Sequence, residues 1–271
     1  MNIPLVTADI TDARAVDAAF RETRPEAVFH CAARVIDDNE SRLHKDNAYG
    51  TRNICEACHK YNVARLVYLS SVSVISGNPQ VPLTDDLLYK ASDAYGRSKI
   101  EAERIAIDFR KKGLRVSMIR PCIVYGEDEP HGFDRVMRLV EARRIPILNI
   151  PEMDSRLHLL YIDNLVQVLA LALEKNEAVN GTFIVADREI ITLRKGLEIL
   201  YDELEKGRPP VMPAPLVRLL MLIPPVRKKI TRILKDRVYD TTRAVSLLGY
   251  DPAVSTEEGL RRMARHWKKS H

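Results

Sequence analysis

The sequence predicts an α/β fold, a doubly wound parallel sheet with a smaller mixed α/β region after it. Three observations predict this. Strand-like and helix-like segments alternate through the first 126 residues. The strand-like segments are near-continuous apolar runs, the pattern of strands buried on both faces. Each is separated from the next by a helical pattern long enough to cross over between parallel strands.

The elements follow in order. Residues 4–8 read as a short strand and 12–24 as a helix. Residues 27–33 read as a buried strand and 41–61 as a helix. A strand over 65–74, a helix over 94–112 and a strand over 115–125 complete the alternation. Catalytic groups of such a sheet gather at the carboxyl ends of its strands. Ser71 falls there, as does the loop after Ala33. Beyond Gly126 the rhythm changes: helices at 133–144, 162–174 and 193–205, short strands at 145–150 and 182–186, a proline-rich linker at 208–215 and a basic amphipathic helix at 256–269. The domain reading is 1–126 with parts of 155–190 as one domain, and 127–271 as mainly a substrate-binding region with C-terminal helices.

A chain of 271 residues with 46% hydrophobic and 29% charged content can bury a substantial core. The net charge is +5 with both signs interspersed, and the positive excess lies late, in Arg227-Lys228-Lys229 and from Arg261 to Lys269. A solvated charged face is the default reading; no array of arginines and aromatics suits nucleobases, so nucleic acid is rejected as the main partner. Four cysteines point to a reducing compartment and a cytoplasmic protein. Cys55-Glu56-Ala57-Cys58-His59 matches the pattern of c-type haem attachment, but it also reads cleanly as helix, and neither haem nor zinc is expected. The most apolar stretch, 215–223, is too short to span a bilayer. It reads as a helix packed on the substrate side, as a lid over a lipophilic substrate, or as a membrane-surface helix helped by Arg227, Lys228 and Lys229.

The chemistry concentrates in Tyr95-Gly96-Arg97-Ser98-Lys99, with Ser71 at the end of an apolar run upstream. Residues four apart share one helix face. An ammonium beside a phenol favours the phenolate and lowers its pKa. A serine hydroxyl brought up from a strand end could hold a substrate oxygen against that phenol. Such a trio suits proton exchange with an alcohol while a cofactor takes or gives hydride. With 10 Tyr in the chain, chance alone supplies about 0.5 Tyr-x-x-x-Lys matches, within the risk every short motif carries. The strand before the serine and the helix around the tyrosine raise this match above chance.

These residues resemble the extended short-chain dehydrogenase/reductase family of the epimerase/dehydratase type, through nearly the whole chain. The strings are Ala8-Asp9-Ile10-Thr11-Asp12, Phe29-His30-Cys31-Ala32-Ala33, Asn47-Ala48-Tyr49-Gly50-Thr51-Arg52-Asn53, Arg120-Pro121-Cys122-Ile123-Val124-Tyr125-Gly126, Tyr161-Ile162-Asp163-Asn164-Leu165 and Leu248-Gly249-Tyr250-Asp251-Pro252. Each is weak alone; six in family order form a joint signal. The resemblance implies a Rossmann-like cofactor domain, NAD or NADP as cofactor, and a small-molecule substrate. A homodimer is an assembly it allows. It implies Tyr95 as acid/base, Lys99 on the nicotinamide ribose and Ser71 on the substrate oxygen. Asp9 and Ile10 would lie near adenine, with His30, Ala32, Ala33, Asn47 and Pro121 along the cofactor.

One departure is large. The family opens with a strand, a Gly-x-x-Gly-x-x-Gly turn and a helix that cradles the pyrophosphate. The 11 glycines here include no Gly-x-Gly and no three-glycine cluster. The sequence therefore reads as N-terminally truncated, with an open sheet edge. It reads either as a fragment or late-start form of a longer enzyme, or as a short form that binds cofactor weakly or completes itself with another chain. Val72-Ser73 stands where the family's dehydratases carry Asp-Glu, so dehydration is disfavoured. The expected reaction is hydride transfer at a secondary alcohol or ketone of a nucleotide sugar or a 3β-hydroxysteroid-like substrate, by an epimerase or a dehydrogenase. The alternative is a non-catalytic scaffold that keeps the trio unused.

Overall fold

The structure, a computed structural model, describes residues 5–37, 39–128 and 132–271. In chain order its elements are α1 (Ala13–Thr23), β1 (Ala27–His30), α2 (Glu40–His44), α3 (Gly50–Lys60), β2 (Arg65–Leu69), α4 (Ala94–Lys111), β3 (Val116–Pro121), β4 (Ile123–Tyr125), α5 (Phe133–Glu141), β5 (Ile147–Leu148), β6 (Arg156–Tyr161), α6 (Ile162–Glu174), β7 (Thr182–Val185), β8 (Ile190–Thr192), α7 (Leu193–Glu203), β9 (Val211–Met212), α8 (Ala214–Leu220), α9 (Pro224–Ile233), α10 (Thr242–Leu248) and α11 (Thr256–Ser270). They form two compact units. The first comprises Met1–Cys122, Val166–Val185 and Asp240–Tyr250, the second Ile123–Leu165, Ala186–Tyr239 and Asp251–His271.

The first unit is built on a four-stranded sheet in the order β1-β2-β3-β7, every neighbour parallel. Alternation along the strands sorts their side chains to two faces. Leu66, Tyr68, Val116 and Met118 join one apolar cluster with residues of α1, α3 and α4. Arg65 and Ser117 turn the other way, and both reach the carbonyl of Ala172 in α6. The sheet is thus covered on both faces, as the apolar strands predict. β1 is an edge strand of this sheet, with Phe29 44% exposed.

The second unit has a three-stranded sheet, β4-β6-β8, with β6 parallel to β4 and antiparallel to β8. Its centre is a buried carboxylate. Asp187 accepts from Tyr161 N at 2.9 Å and Asn164 Nδ2 at 2.7 Å on one oxygen. The other accepts from the Tyr125 hydroxyl at 3.1 Å and the Thr256 hydroxyl at 3.2 Å. Burial pushes the Asp187 carboxyl up, and these four donors pull it back. Asn164 also donates to Val254 O and accepts from Val254 N, so one cluster ties β4, β6, α6 and the approach to α11.

Several sequence expectations are corrected. Residues 5–8 are not a strand, because no neighbouring strand among the described residues offers them a ladder and Leu5 is 93% exposed; Pro4 lies outside the described residues. The strand expected over 27–33 stops at His30, because the Asn47 side chain takes both the N–H and the C=O of Arg34. The helix expected over 41–61 is broken by a π turn at Lys45–Tyr49. The strand expected over 65–74 ends at Leu69, and Val72–Val74 form a 3-10 turn capped by the Ser71 hydroxyl. The run 115–125 divides at Cys122 into β3 and β4, which lie in different sheets. The 208–215 loop contains β9, which pairs with β5. β6, β8, α9 and α10 were not anticipated.

Candidate active site

The site is assembled at the carboxyl end of β2. Ser71 follows the strand, extended at φ −163°, and its Oγ accepts from Ser73 N at 3.1 Å. Across from it begins α4. Asp93 caps this helix by accepting from Gly96 N at 2.7 Å, which fixes the first turn and with it Tyr95. Gly96 is required there: a Cβ on it would stand 2.6 Å from the carbonyl oxygen of Ser73 and 2.8 Å from the Ala91 Cβ. The helix start therefore lies close against the serine turn. The Ser71 hydroxyl donates to Ser73 Oγ at 3.1 Å, and it lies near enough to the Tyr95 phenol to favour its ionised form.

The electrostatics differ from the expectation. Burial pushes the Tyr95 phenol up to about 12; the Ser71 hydroxyl pulls it down and the Asp93 carboxylate adds to the rise. The ammonium of Lys99 is turned elsewhere. It is 2% exposed, donates to Leu69 O at 2.7 Å and lies 4.6 Å from the centroid of the Tyr68 ring. Burial lowers it to about 8, opposed by the charges of Glu103 and Cys31. The expected lowering of the phenol by the lysine is thus reversed, because removal from water outweighs the one hydroxyl that opposes it. Lys99 keeps two further N–H donors with no protein partner among the described residues. Two donors on a buried ammonium fit the paired hydroxyls of a ribose.

The remaining predicted residues divide into two groups. His30 is 3% exposed and its Nε2 lies 2.9 Å from Thr51 Oγ1. Thr51 spends its single proton on Asn47 O at 2.6 Å, so His30 Nε2 is the donor and carries the proton of a neutral ring. Burial and the Lys99 charge hold that ring down at about 3. Asn47 uses every polar group of its amide: Oδ1 on Arg34 N, and Nδ2 on Arg34 O and Ser98 Oγ. Pro121 is buried as the last residue of β3, in register with Val185. These three brace the site. Ala32 and Ala33, by contrast, are exposed in the loop after β1.

Asp9 is exposed, and its carboxylate accepts from Thr11 N at 2.8 Å, which holds it below the usual range. Ile10 gives its carbonyl to Asn53 Nδ2 at 2.8 Å and its side chain to the space beside Gly50, where a Cβ would stand 2.5 Å from Ile10 Cδ1. Both residues are thus engaged within the chain. Its sequence supplies no glycine-rich turn for the phosphates of a dinucleotide.

Two supporting residues were missed. Glu103 lies one turn beyond Lys99 and is fully buried. It accepts from Arg120 Nε at 2.9 Å and Nη2 at 2.7 Å, from the Ser70 hydroxyl at 2.5 Å and from the Tyr89 hydroxyl at 2.6 Å. Burial alone would raise its pKa; the Arg120 hydrogen bonds and charge bring it below its ordinary value. The four-residue spacing from Lys99 was the available signal. Asp93 was the other, an acidic residue just before a helical run, which marks an N-cap.

Residues 2–186 match the NAD dependent epimerase/dehydratase family. A 3beta-hydroxysteroid-dehydrogenase/decarboxylase of Arabidopsis thaliana is 26% identical over 291 residues, covering 96% of this chain and 51% of the relative. The chain thus spans about half the length of that plant protein. A UDP-glucose 4-epimerase of Vibrio cholerae is 28% identical over 249 residues, covering 88% of this chain and 75% of the relative. Among solved structures, the UDP-glucose 4-epimerase of Thermotoga maritima superposes with a TM-score of 0.78 at 24% identity, covering 97% of this chain and 83% of that one. The Thermus thermophilus UDP-glucose 4-epimerase, solved with NAD, gives 0.76 at 24% identity, covering 99% and 86%.

Proposed function

Because the chain belongs to the NAD dependent epimerase/dehydratase family, we propose that it serves NAD(P)-dependent hydride transfer at a secondary alcohol or ketone carbon. The observation that carries this reading is the start of α4, with Tyr95, packed against the Ser71–Ser73 turn at the end of β2, one helix turn from a buried ammonium with two unclaimed donors. When bound, the nicotinamide accepts or gives the hydride. Lys99 would hold the nicotinamide ribose. Ser71 would hold the substrate oxygen, and Tyr95 would exchange a proton with it. Asp9 and Ile10 would border the adenine, while His30, Asn47 and Pro121 support the walls and Ala32 and Ala33 line the loop between.

A phenol near 12 is a poor base at neutral pH, since efficient proton exchange calls for a pKa near 7. Closing that gap takes roughly five units, or about 7 kcal/mol at 1.36 per unit. A cation about 4 Å from the phenol would contribute roughly 4 kcal/mol of this at an effective dielectric near 20. The same phenol, still protonated, is suited to the reverse direction, in which it gives a proton to the oxygen of a ketone.

One feature of the second unit suits a hydrophobic alcohol. Its cavity of about 230 Å³ is lined chiefly by aliphatic side chains such as Leu157, Leu197 and Leu200, with Arg156, Lys235 and Arg237 also on its wall. The plant relative's name, a hydroxysteroid dehydrogenase, leans the same way. A cytoplasmic setting and a homodimer complete the reading.

The test follows nicotinamide absorbance with NAD and NADP in turn, against a hydroxysteroid, simple cyclic alcohols and UDP-sugars. Reduction of cofactor with the hydroxysteroid, well above that with UDP-sugars, is expected. No reduction and no epimerised product across the panel at saturating cofactor would overturn the proposal.

A further inference from the structure

The positive charge of this chain is not spread over it. Residues 214–237 contain seven Lys and Arg and one Asp, a net charge of +6. The whole chain carries +5, so the other 247 residues sum to −1. These seven cations, from Arg218 to Arg237, make no ion pair with any carboxylate among the described residues. The one carboxylate of the segment, Asp236, is taken by Arg156. Cations elsewhere are extensively paired: Arg261 alone faces Asp202, Glu203 and Glu257.

The same segment exposes its large aliphatic side chains. Leu219 is 61% exposed and Leu222 76%, with Leu216, Ile223 and Ile233 also exposed. Leu216 and Leu219, three apart, lie on one side of α8, and Leu222 and Ile223 follow in the turn before α9. α9 buries none of its residues, although four of its ten are Lys or Arg. A run of exposed leucines beside unpaired cations is unusual on a soluble surface, where contiguous apolar patches mark interaction sites.

We infer that residues 214–237 form a docking surface for an anionic lipid bilayer. Exposed aliphatic groups enter the headgroup boundary while lysines and arginines meet acidic lipid, the arrangement of helices that lie in a membrane interface. No helix among the described residues is long and apolar enough to cross a membrane, so the segment rests on the surface. A nucleic acid is the poorer occupant. The segment contains no Phe, Tyr or Trp on which bases could stack, and its leucines would stay exposed. The inference is independent of the reading of Tyr95.

The test is vesicle flotation of the full chain. The vesicles are phosphatidylcholine alone, or phosphatidylcholine and phosphatidylglycerol at two to one. Binding to the anionic vesicles at least tenfold tighter than to the neutral ones, and weakened by salt, is expected. The double variant Lys228→Gln/Lys229→Gln should bind on the order of 30-fold more weakly. Leu219→Ser/Leu222→Ser should lose roughly tenfold on anionic vesicles while leaving retention on a heparin column unchanged. All four side chains are exposed, so thermal melting of both variants should match the parent. Absence of binding to anionic vesicles would overturn the inference, as would equal binding to neutral ones or indifference to either pair of substitutions. Retention on heparin without vesicle binding would overturn it in favour of a nucleic-acid surface.

Discussion

The ammonium of Lys99, buried on α4, donates to the carbonyl of Leu69, the last residue of β2, at 2.7 Å. This bond joins helix to strand two residues before Ser71. It holds the cation against the sheet end and leaves its other donors free for a ligand. Burial of that cation has a cost that pH relieves. The folded-state pKa is about 8, below the ordinary 10.5. The unfolded chain therefore binds more protons between those values, and stability rises with pH across that window. Lys99→Met removes the effect. In urea unfolding from pH 8 to 10.5, wild type should gain stability relative to Lys99→Met by about 3 kcal/mol. A constant difference across the window would contradict the buried charge.

His30 gives an effect of the same sign at the acid end. Its neutral ring is held near 3, whereas the unfolded imidazole titrates near 6.5. The unfolded state binds the extra proton, so stability is complete above pH 6.5 and declines on acidification toward 3, at up to about 1.4 kcal/mol per unit. Acid titration of His30→Asn beside wild type, followed by circular dichroism, should show the shallower slope in the variant.

The Glu103–Arg120 pair lies beneath the site with side-chain exposures of 0% and 5%. Removing one partner leaves a buried charge uncompensated. Arg120→Met should therefore cost about 3–5 kcal/mol, whereas Glu103→Leu/Arg120→Met should cost less than Arg120→Met alone. Chemical denaturation of the two variants checks the order.

Gly96→Ala places a methyl group against the Ser73 carbonyl and Ala91. Backbone cannot yield as a side-chain tip can, so the start of α4 must shift. A loss of about 1–3 kcal/mol is expected. Tyr95, the preceding residue, moves with it, so turnover should fall by more than cofactor affinity does. Melting and steady-state kinetics together test this.

The sequence made the parallel sheet legible because buried strands leave long apolar runs that no other class needs. Spacing placed Tyr95 and Lys99 on one helix and Ser71 at a strand end, and the structure has α4 begin against that strand end. Several residues of the other family strings serve as joinery: Asn47 braces Arg34, Thr51 the His30 ring, Asn53 the Ile10 carbonyl, and Tyr125 and Asn164 the Asp187 carboxylate. Asp187 itself went unnoticed, since one acidic residue after an apolar strand looks like a loop. Residues 5–8 misled for the converse reason: their pattern suits a strand, but a strand needs a neighbour, and pattern does not report one. The direction of the Tyr95 shift was hidden too. It depends on how far the phenol is withdrawn from water, which spacing on a helix does not reveal.

The central claim, that the Tyr95 phenol exchanges the proton of the reacting oxygen, is tested most directly by turnover of Tyr95→Phe under saturating nicotinamide cofactor and the best alcohol of the panel. The account predicts a fall of about 10²–10⁴ in kcat, with cofactor affinity changed by less than about threefold, since the phenyl ring keeps its packing and loses one hydroxyl. Undiminished kcat in that variant would contradict it.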